Sequence, residues 1–300
     1  MATKQKLERK ISSTRDMASI VSTMKALAAV NVRVFGEARD AIENYMDTVE
    51  RGLHIVLQSS REEVGLATGH VSATLGGVPA QSEGAGLFVF GAVQGMCGQF
   101  SDHIAERAVD YAHRLVARTE VVAVGPRVGA RLTDRGVLVE RSVDMAGSLE
   151  SLPRVVDDCI VAVDQLRRKG ITRVVVFYNA EGEHASYDPH HELIVPVNEA
   201  WLERIARRSW TRRSIPAAVT PARSLLGALT RQYLFASFYR AAAQSLASEN
   251  AARLSSMHSA ESNIEERLDE LRSAYNQQRQ QEITSELLDI VGGYTALRDE

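Results

Sequence analysis

Three places in this chain hold residues whose types and spacing could do chemistry. Gly91-Ala92-Val93-Gln94-Gly95-Met96-Cys97-Gly98 follows an apolar strand and precedes a helix, the position in which backbone N–H groups can cradle a phosphate. It lacks the Gly-Lys-Ser/Thr of a nucleoside-triphosphate loop and fits the dinucleotide fingerprint poorly, so a tight structural turn is favoured. Cys97 would be reactive only if exposed beside cations, and nearby Asp102 points instead to a buried small hydrophobe. Glu183, His184, Asp188, His190, His191 and Glu192 form a metal-like cluster whose spacing fits no ligand pattern and reads as a wet loop. Arg204, Arg207, Arg208, Arg212 and Arg213 make a basic patch beside Trp201 and Trp210; without a nucleic-acid motif it reads as a solvated or headgroup-facing surface. No Ser-His-Asp arrangement can be argued, and no catalytic residue, cofactor or metal is expected.

The elements that would position these residues change period along the chain. Leu87–Phe90 reads as a short buried strand, Ser101–Arg118 as a helix capped by Ser101 or Asp102, and Val121–Val124 as a strand ending at Gly125-Pro126. A helix over Leu152–Lys169 and a β-branched strand over Thr172–Tyr178 follow, with an extended edge piece from Tyr187 to Val197. That alternation predicts a small, largely parallel, Rossmann-like α/β sheet covered by helices, over residues 84–200. Residues 59–86, rich in glycine and small side chains, read as a flexible connection.

The two ends are different. Between Gly227 and Gly292 there is neither glycine nor proline, so nothing breaks a final helix expected from about Ala222 to Leu297 within a C-terminal segment 216–300. At 1.5 Å per residue it reaches roughly 100 Å and needs a partner along its length. Met257, Ile264, Leu268, Leu271 and Tyr275, with Ala260 and Ala274, recur at steps of three and four, the seam of a coiled coil. From Asn276 to Glu282 the register holds no apolar residue, before Ile283, Leu287, Leu288, Ile290 and Val291 resume it. A helix polar all round must be sheathed by something polar or project into solvent.

The opening segment, residues 1–58, answers it. Leu7, Ile11, Thr14, Ala18, Val21, Lys25, Ala28, Val32 and Phe35 alternate steps of four and three, a period near 3.5 that predicts a left-handed supercoil. Lys25 interrupts this seam, either snorkelling to solvent or setting register. Residues 1–39 carry eight Lys/Arg against three Asp/Glu, and residues 261–300 ten Asp/Glu against four Arg, a polarity that suits helices lying side by side. The fold expected is therefore α/β: a long antiparallel coiled coil of the terminal helices, the final one overhanging by about twenty residues or roughly 30 Å, with the sheet domain inserted between them. Net charge of −3 argues for neither nucleic acid nor membrane surface, Cys97 and Cys159 are too few for a disulfide framework, and no uninterrupted apolar run of about 18 residues occurs.

Particular residues then resemble the gamma subunit of F-type ATP synthases. Ile20-Val21-Ser22-Thr23-Met24-Lys25-Ala26-Leu27-Ala28-Ala29 is similar to that family's Ile-Thr-x-Ala-Met-x-Met-Val-Ala-Ala run, and Gly95-Met96-Cys97-Gly98 to its Gly-Leu-Cys-Gly turn. The longest match is C-terminal: Leu246–Arg253, Tyr275-Asn276, Arg279-Gln280 and Ile283–Gly293. Gln94 stands where the family usually has Arg, Asn31 replaces a usual Lys, and Tyr294 replaces a small residue. After Trp210, Thr211–Pro216 replaces the family's Asp-Tyr-x-Tyr-Glu-Pro segment. These departures read as a divergent bacterial member, an alternative ATPase being one option.

The resemblance implies a non-catalytic rotary shaft held by the alpha and beta subunits, standing with the epsilon subunit on the membrane c-ring. It would be peripheral, on the cytoplasmic face of the bacterial inner membrane without inserting into it, and would couple ion flow, proton or sodium, to ATP synthesis or hydrolysis. By the same resemblance Met24, Lys25, Arg253, Gln280 and Thr284 are expected to touch the moving loops of the beta subunits. Two other readings stay open: a Rossmann-like enzyme with helical arms, which needs a deep polar pocket, and a coiled-coil scaffold that self-associates.

Overall fold

The computed structural model describes residues 2–59, 84–115, 118–182, 187–196, 201, 204–205 and 220–298. Helix α1 spans Ala2–Ser59, β1 Gly84–Phe90, α2 Phe100–Arg114, β2 Arg118–Val124, α3 Pro126–Asp134 and β3 Val139–Val143. After a 3-10 turn at Leu149–Ser151 come α4 Leu152–Arg168, β4 Arg173–Ala180, β5 Asp188–Val195 and α5 Ala222–Arg298. The chain divides into two units, Met1–Ala28 with Leu254–Glu300, and Ala29–Arg253.

In the first unit α1 and α5 run antiparallel. Lys4 Nζ lies 3.9 Å from Glu282, the Tyr275 hydroxyl donates to Glu8 at 2.9 Å, and Lys25 Nζ donates to Glu261 Oε2 at 2.6 Å. Ile11, Leu268 and Leu271 form the buried cluster, flanked by Leu7, Ile264 and Tyr275. Those are the seam positions read from the two sequences, so burial follows the 3.5-residue period. Where α5 turns polar the seam is polar on both sides: Lys4 reaches Glu282 and sits 5.9 Å over the Tyr275 ring. Ala274, expected beside the seam, is exposed. From Glu282 α5 runs on to Arg298, roughly 24 Å further at 1.5 Å per residue, with Ile283, Leu287, Leu288, Ile290 and Val291 exposed.

The second unit is built on a five-stranded sheet in the order β3-β2-β1-β4-β5, parallel except for the antiparallel β4–β5 pair at one edge. Its central strands are buried on both faces, and alternate residues divide between two cores as the two-residue period requires. Leu87, Val89, Val121, Ala123, Val175 and Phe177 face Ile104, Ala105 and Ala108 of α2 and Val128 and Leu132 of α3. Phe88, Phe90, Val122, Val124, Val174 and Val176 face a core that includes α4 and this unit's stretches of the two long helices, among them Phe35, Ile42, Leu53, Tyr233 and Phe238. Phe88 and Phe238, both fully buried, meet edge to face with ring centroids 5.0 Å apart.

Several sequence expectations are corrected. Gly125-Pro126 does end a strand, but Pro126 also opens α3, where its fixed φ and missing N–H cost nothing, and α3 leads into the edge strand β3. The strands begin earlier than read: β1 takes in Gly84–Gly86 and β2 starts at Arg118, because chain pairing there outweighs weak local propensity. Helix α2 starts at Phe100 after Gln99 and ends at Arg114, without a side-chain cap. Ser101 is buried, and its hydroxyl accepts the Ala92 N–H at 3.1 Å, which occupies it elsewhere. The connection expected at 59–86 falls mostly outside the described residues.

Helix α1 also carries an apolar stretch. Within Lys4–Leu57 an 18-residue stretch is apolar enough on average to cross a membrane, although no unbroken apolar run of that length exists. Met17, Ile20, Leu27 and Val30 on α1 are between 49% and 60% exposed.

Candidate functional site

Lys25, half-buried, is paired with Glu261 across the first unit. An ion pair this open to solvent adds little stability, so its value lies in fixing the register of two long seams. The Lys25 hydrogen bond holds the Glu261 carboxyl below its ordinary range. A depressed carboxylate contributes stability above its unfolded value and loses that contribution as pH falls through the depressed one. Lys25→Met is accordingly expected to raise the Glu261 titration midpoint toward the ordinary value, read by side-chain carboxyl NMR against pH; an unmoved midpoint would show that the pair does not form. Met24 beside it is half-buried.

Gln280 and Thr284 are exposed one helical turn apart in the same unit, and the Thr284 hydroxyl donates to the Gln280 carbonyl at 2.9 Å. The Gln280 amide side chain and the remaining Thr284 acceptor capacity are thus open to solvent.

Arg253 is placed differently from the exposed helix position that its sequence suggests. It belongs to the second unit, is 4% exposed, and spends its guanidinium inside the chain. Nη2 bonds the Glu249 carboxylate one turn before it, Nη1 donates to Asn250 Oδ1 at 3.0 Å, and Nε donates to the Gly95 carbonyl at 3.2 Å. Glu249, 2% exposed, accepts the Val93 N–H at 2.9 Å and the Gln94 N–H at 3.1 Å. Asn250 donates to the Leu246 carbonyl at 2.8 Å and accepts from Asn31 Nδ2 at 3.3 Å. Two departures from the family pattern, Asn31 and Gln94, thus meet at one buried cluster in which Arg253 is the cation bonded to Glu249. Glu249 lies inside the Leu246–Arg253 match but was not singled out, because a glutamate within a long helix reads as solvated surface.

The turn held by this cluster is the one that resembled a phosphate loop. Gly91 N–H donates to the Val124 carbonyl and Ala92 N–H to Ser101, while the next two amides go to Glu249. Met96 takes a left-handed φ of 61° and is 61% exposed at the tip. Cys97 is buried with Ala92, Phe100 and Ala252, and burial together with Glu249 pushes its thiol up, as expected for an inert cysteine. In open α/β sheets ligands usually sit outside the carboxyl ends of the strands. Here the chain's own carboxylate occupies the donors just after β1.

The remaining candidates resolve into packing. Glu192 binds Arg240 of α5 through both oxygens, at 2.6 and 2.7 Å, and His191 stacks on Phe177. Glu183 and His184 lie outside the described residues, and among the described residues no group of three or more His, Cys, Asp or Glu could hold a metal. Trp201 packs on Tyr233 and donates to Glu50 at 3.2 Å; Arg207, Arg208, Arg212 and Arg213 lie outside the described residues.

These features define a class: a protein whose ends wind into an antiparallel helical coil, with an inserted α/β sheet whose usual ligand position is closed from within. The chain matches the ATP synthase family over residues 3–297. It is 25% identical to the ATP synthase gamma chain of Nitrosomonas eutropha over 307 residues, covering 99% of this chain and 100% of that one. It is 27% identical to the gamma chain of Brucella ovis over 309 residues, covering 97% and 98%. The chain belongs to the ATP synthase gamma-chain family. Its fold is similar to the solved central stalk with c-ring of the Tetrahymena thermophila mitochondrial ATP synthase, with a TM-score of 0.53 at 17% identity, covering 80% of this chain and 99% of that one.

Proposed function

We propose that this chain is the central shaft of a bacterial rotary ATP synthase, turning between alpha and beta subunits above and the epsilon subunit and membrane c-ring below. It performs no chemistry and does not itself enter the membrane; it couples ion flow to ATP synthesis or hydrolysis from the cytoplasmic face. The observation that carries this reading is the first unit's surface. A two-helix rod exposes Met17, Ile20 and Leu27 on one helix and Ile283, Leu287, Leu288, Ile290 and Val291 on the other. Large apolar side chains on so thin a rod call for a protein sleeve. Rotation of an asymmetric rod inside the sleeve favours a different state at each catalytic site, and coupling is then differential binding.

Met24, Lys25, Gln280 and Thr284 are the contacts assigned to the beta loops, and Arg253 acts through the turn that it holds. Gln280→Ala with Thr284→Ala is expected to leave helix content and stability within about 0.5 kcal/mol of the parent, since exposed truncations cost little. Ion pumping per ATP should fall in the same double mutant. Undiminished pumping in membrane vesicles would remove these two residues from the coupling surface. For the shaft reading itself, the purified chain is mixed with alpha and beta subunits. One copy per assembled head is expected, whereas two copies, or self-association through the terminal helices alone, would favour a scaffold.

A further inference from the structure

We propose that Glu249 is an internal ligand: its carboxylate fills an anion cradle made by the Val93 and Gln94 N–H groups after β1, and Arg253 closes the cradle, clasping the turn to α5. The parts are those of an anion site. Two successive backbone N–H groups, in the turn that follows β1, donate to one carboxylate. A guanidinium meets the same carboxylate and also holds the turn's Gly95 carbonyl. Both charged side chains are at least 95% buried, so the pair is screened little by solvent and neither partner can be lost cheaply.

The clasp explains why the strand–turn–helix segment carries no phosphate-loop sequence. Its anion arrives from within the chain, from a helix distant in sequence. It also explains how Met96 keeps a left-handed backbone at an exposed tip, a conformation that persists only when its surroundings determine it. The turn is fixed by α5 at 93, 94 and 95, and by β2 and α2 at 91 and 92. The clasp itself needs no other subunit. Its consequence, that the turn is carried round rigidly with the shaft, rests on the rotary reading above.

Chemical rescue tests it on the full-length chain. Glu249→Ala empties the cradle and leaves Arg253 to be satisfied by an added anion. Backbone hydrogen exchange across residues 91–98 is expected to be about tenfold or more faster than in the parent, as a locally opened segment exchanges. Exchange in β4 and α4 should be unchanged. Acetate or formate, but not chloride at the same ionic strength, should slow exchange at 91–98 again. Should the alanine variant unfold globally, Glu249→Gln keeps the shape and one acceptor while removing the charge, and a smaller acceleration confined to 91–98 is expected. Unchanged exchange at 91–98 in the folded variant, or acceleration in the alanine variant that small carboxylates do not reverse, would overturn the clasp. Neither result bears on whether the chain is a shaft, which is read from assembly with alpha and beta subunits.

Discussion

Phe238→Ala is expected to lower the stability of the second unit by about 3–5 kcal/mol, the range for emptying a fully buried aromatic site. Phe238 has no exposed surface, and its ring meets that of Phe88, itself fully buried, edge to face. The core around them joins the sheet to α4 and to this unit's parts of α1 and α5, with Phe35, Ile42, Leu53 and Leu246 among its members, so no neighbour can collapse into the gap without moving a strand or a helix. Urea unfolding followed by circular dichroism measures the loss. A midpoint shift worth less than about 1 kcal/mol would mean that helix and sheet do not pack as described. Phe238→Leu, which refills most of the volume, should recover much of the difference.

The second large effect is expected in the coil. Leu268→Ala together with Leu271→Ala removes two of the three buried side chains of the first unit's cluster, leaving Ile11 with only the partly buried Leu7, Ile264 and Tyr275 around it. Each truncation costs about 2 kcal/mol at the lower end of the core range, because both side chains keep some exposure in a two-helix seam. The polar pairs Lys4–Glu282 and Lys25–Glu261 cannot offset that, since ion pairs open to solvent contribute little. Hydrogen exchange over residues 4–28 should therefore rise steeply, while β1 and β4 in the second unit stay protected. If exchange over 4–28 is unchanged, the two ends do not hold each other, and the rod has no structural basis.

The coil was legible in the sequence because its information is local and periodic. Leu7, Ile11, Thr14 and Ala28 on one segment, and Met257, Leu268 and Leu271 on the other, announce their burial by spacing alone. The central strands were legible for a related reason: a β-branched run buried on both faces has few alternatives. The edge was harder. In β3, Val-Glu-Arg-Ser-Val carries two charged residues, as edge strands do, and those charges hide it from a search for apolar runs. Helix α3 was hidden behind Pro126, which signals both an ending and a beginning.

The site was legible only in part. Gln280 and Thr284 stand on open helix surface, and Lys25 has the register partner that a lysine in a seam can take. Arg253 and Glu249 could not be read, because what buries them is a turn more than 150 residues earlier in the chain. Spacing reports which face of its own helix a residue occupies. It carries no information about a loop that folds onto that face from elsewhere.

The most direct test of the central claim is to fix a head of alpha and beta subunits to a surface, attach a visible probe to Met96→Cys in a Cys97→Ser, Cys159→Ser background of this chain, and supply ATP. The probe is expected to turn stepwise in one direction for as long as ATP is hydrolysed. A probe that stays still, or only jitters, while the same head consumes ATP would contradict it.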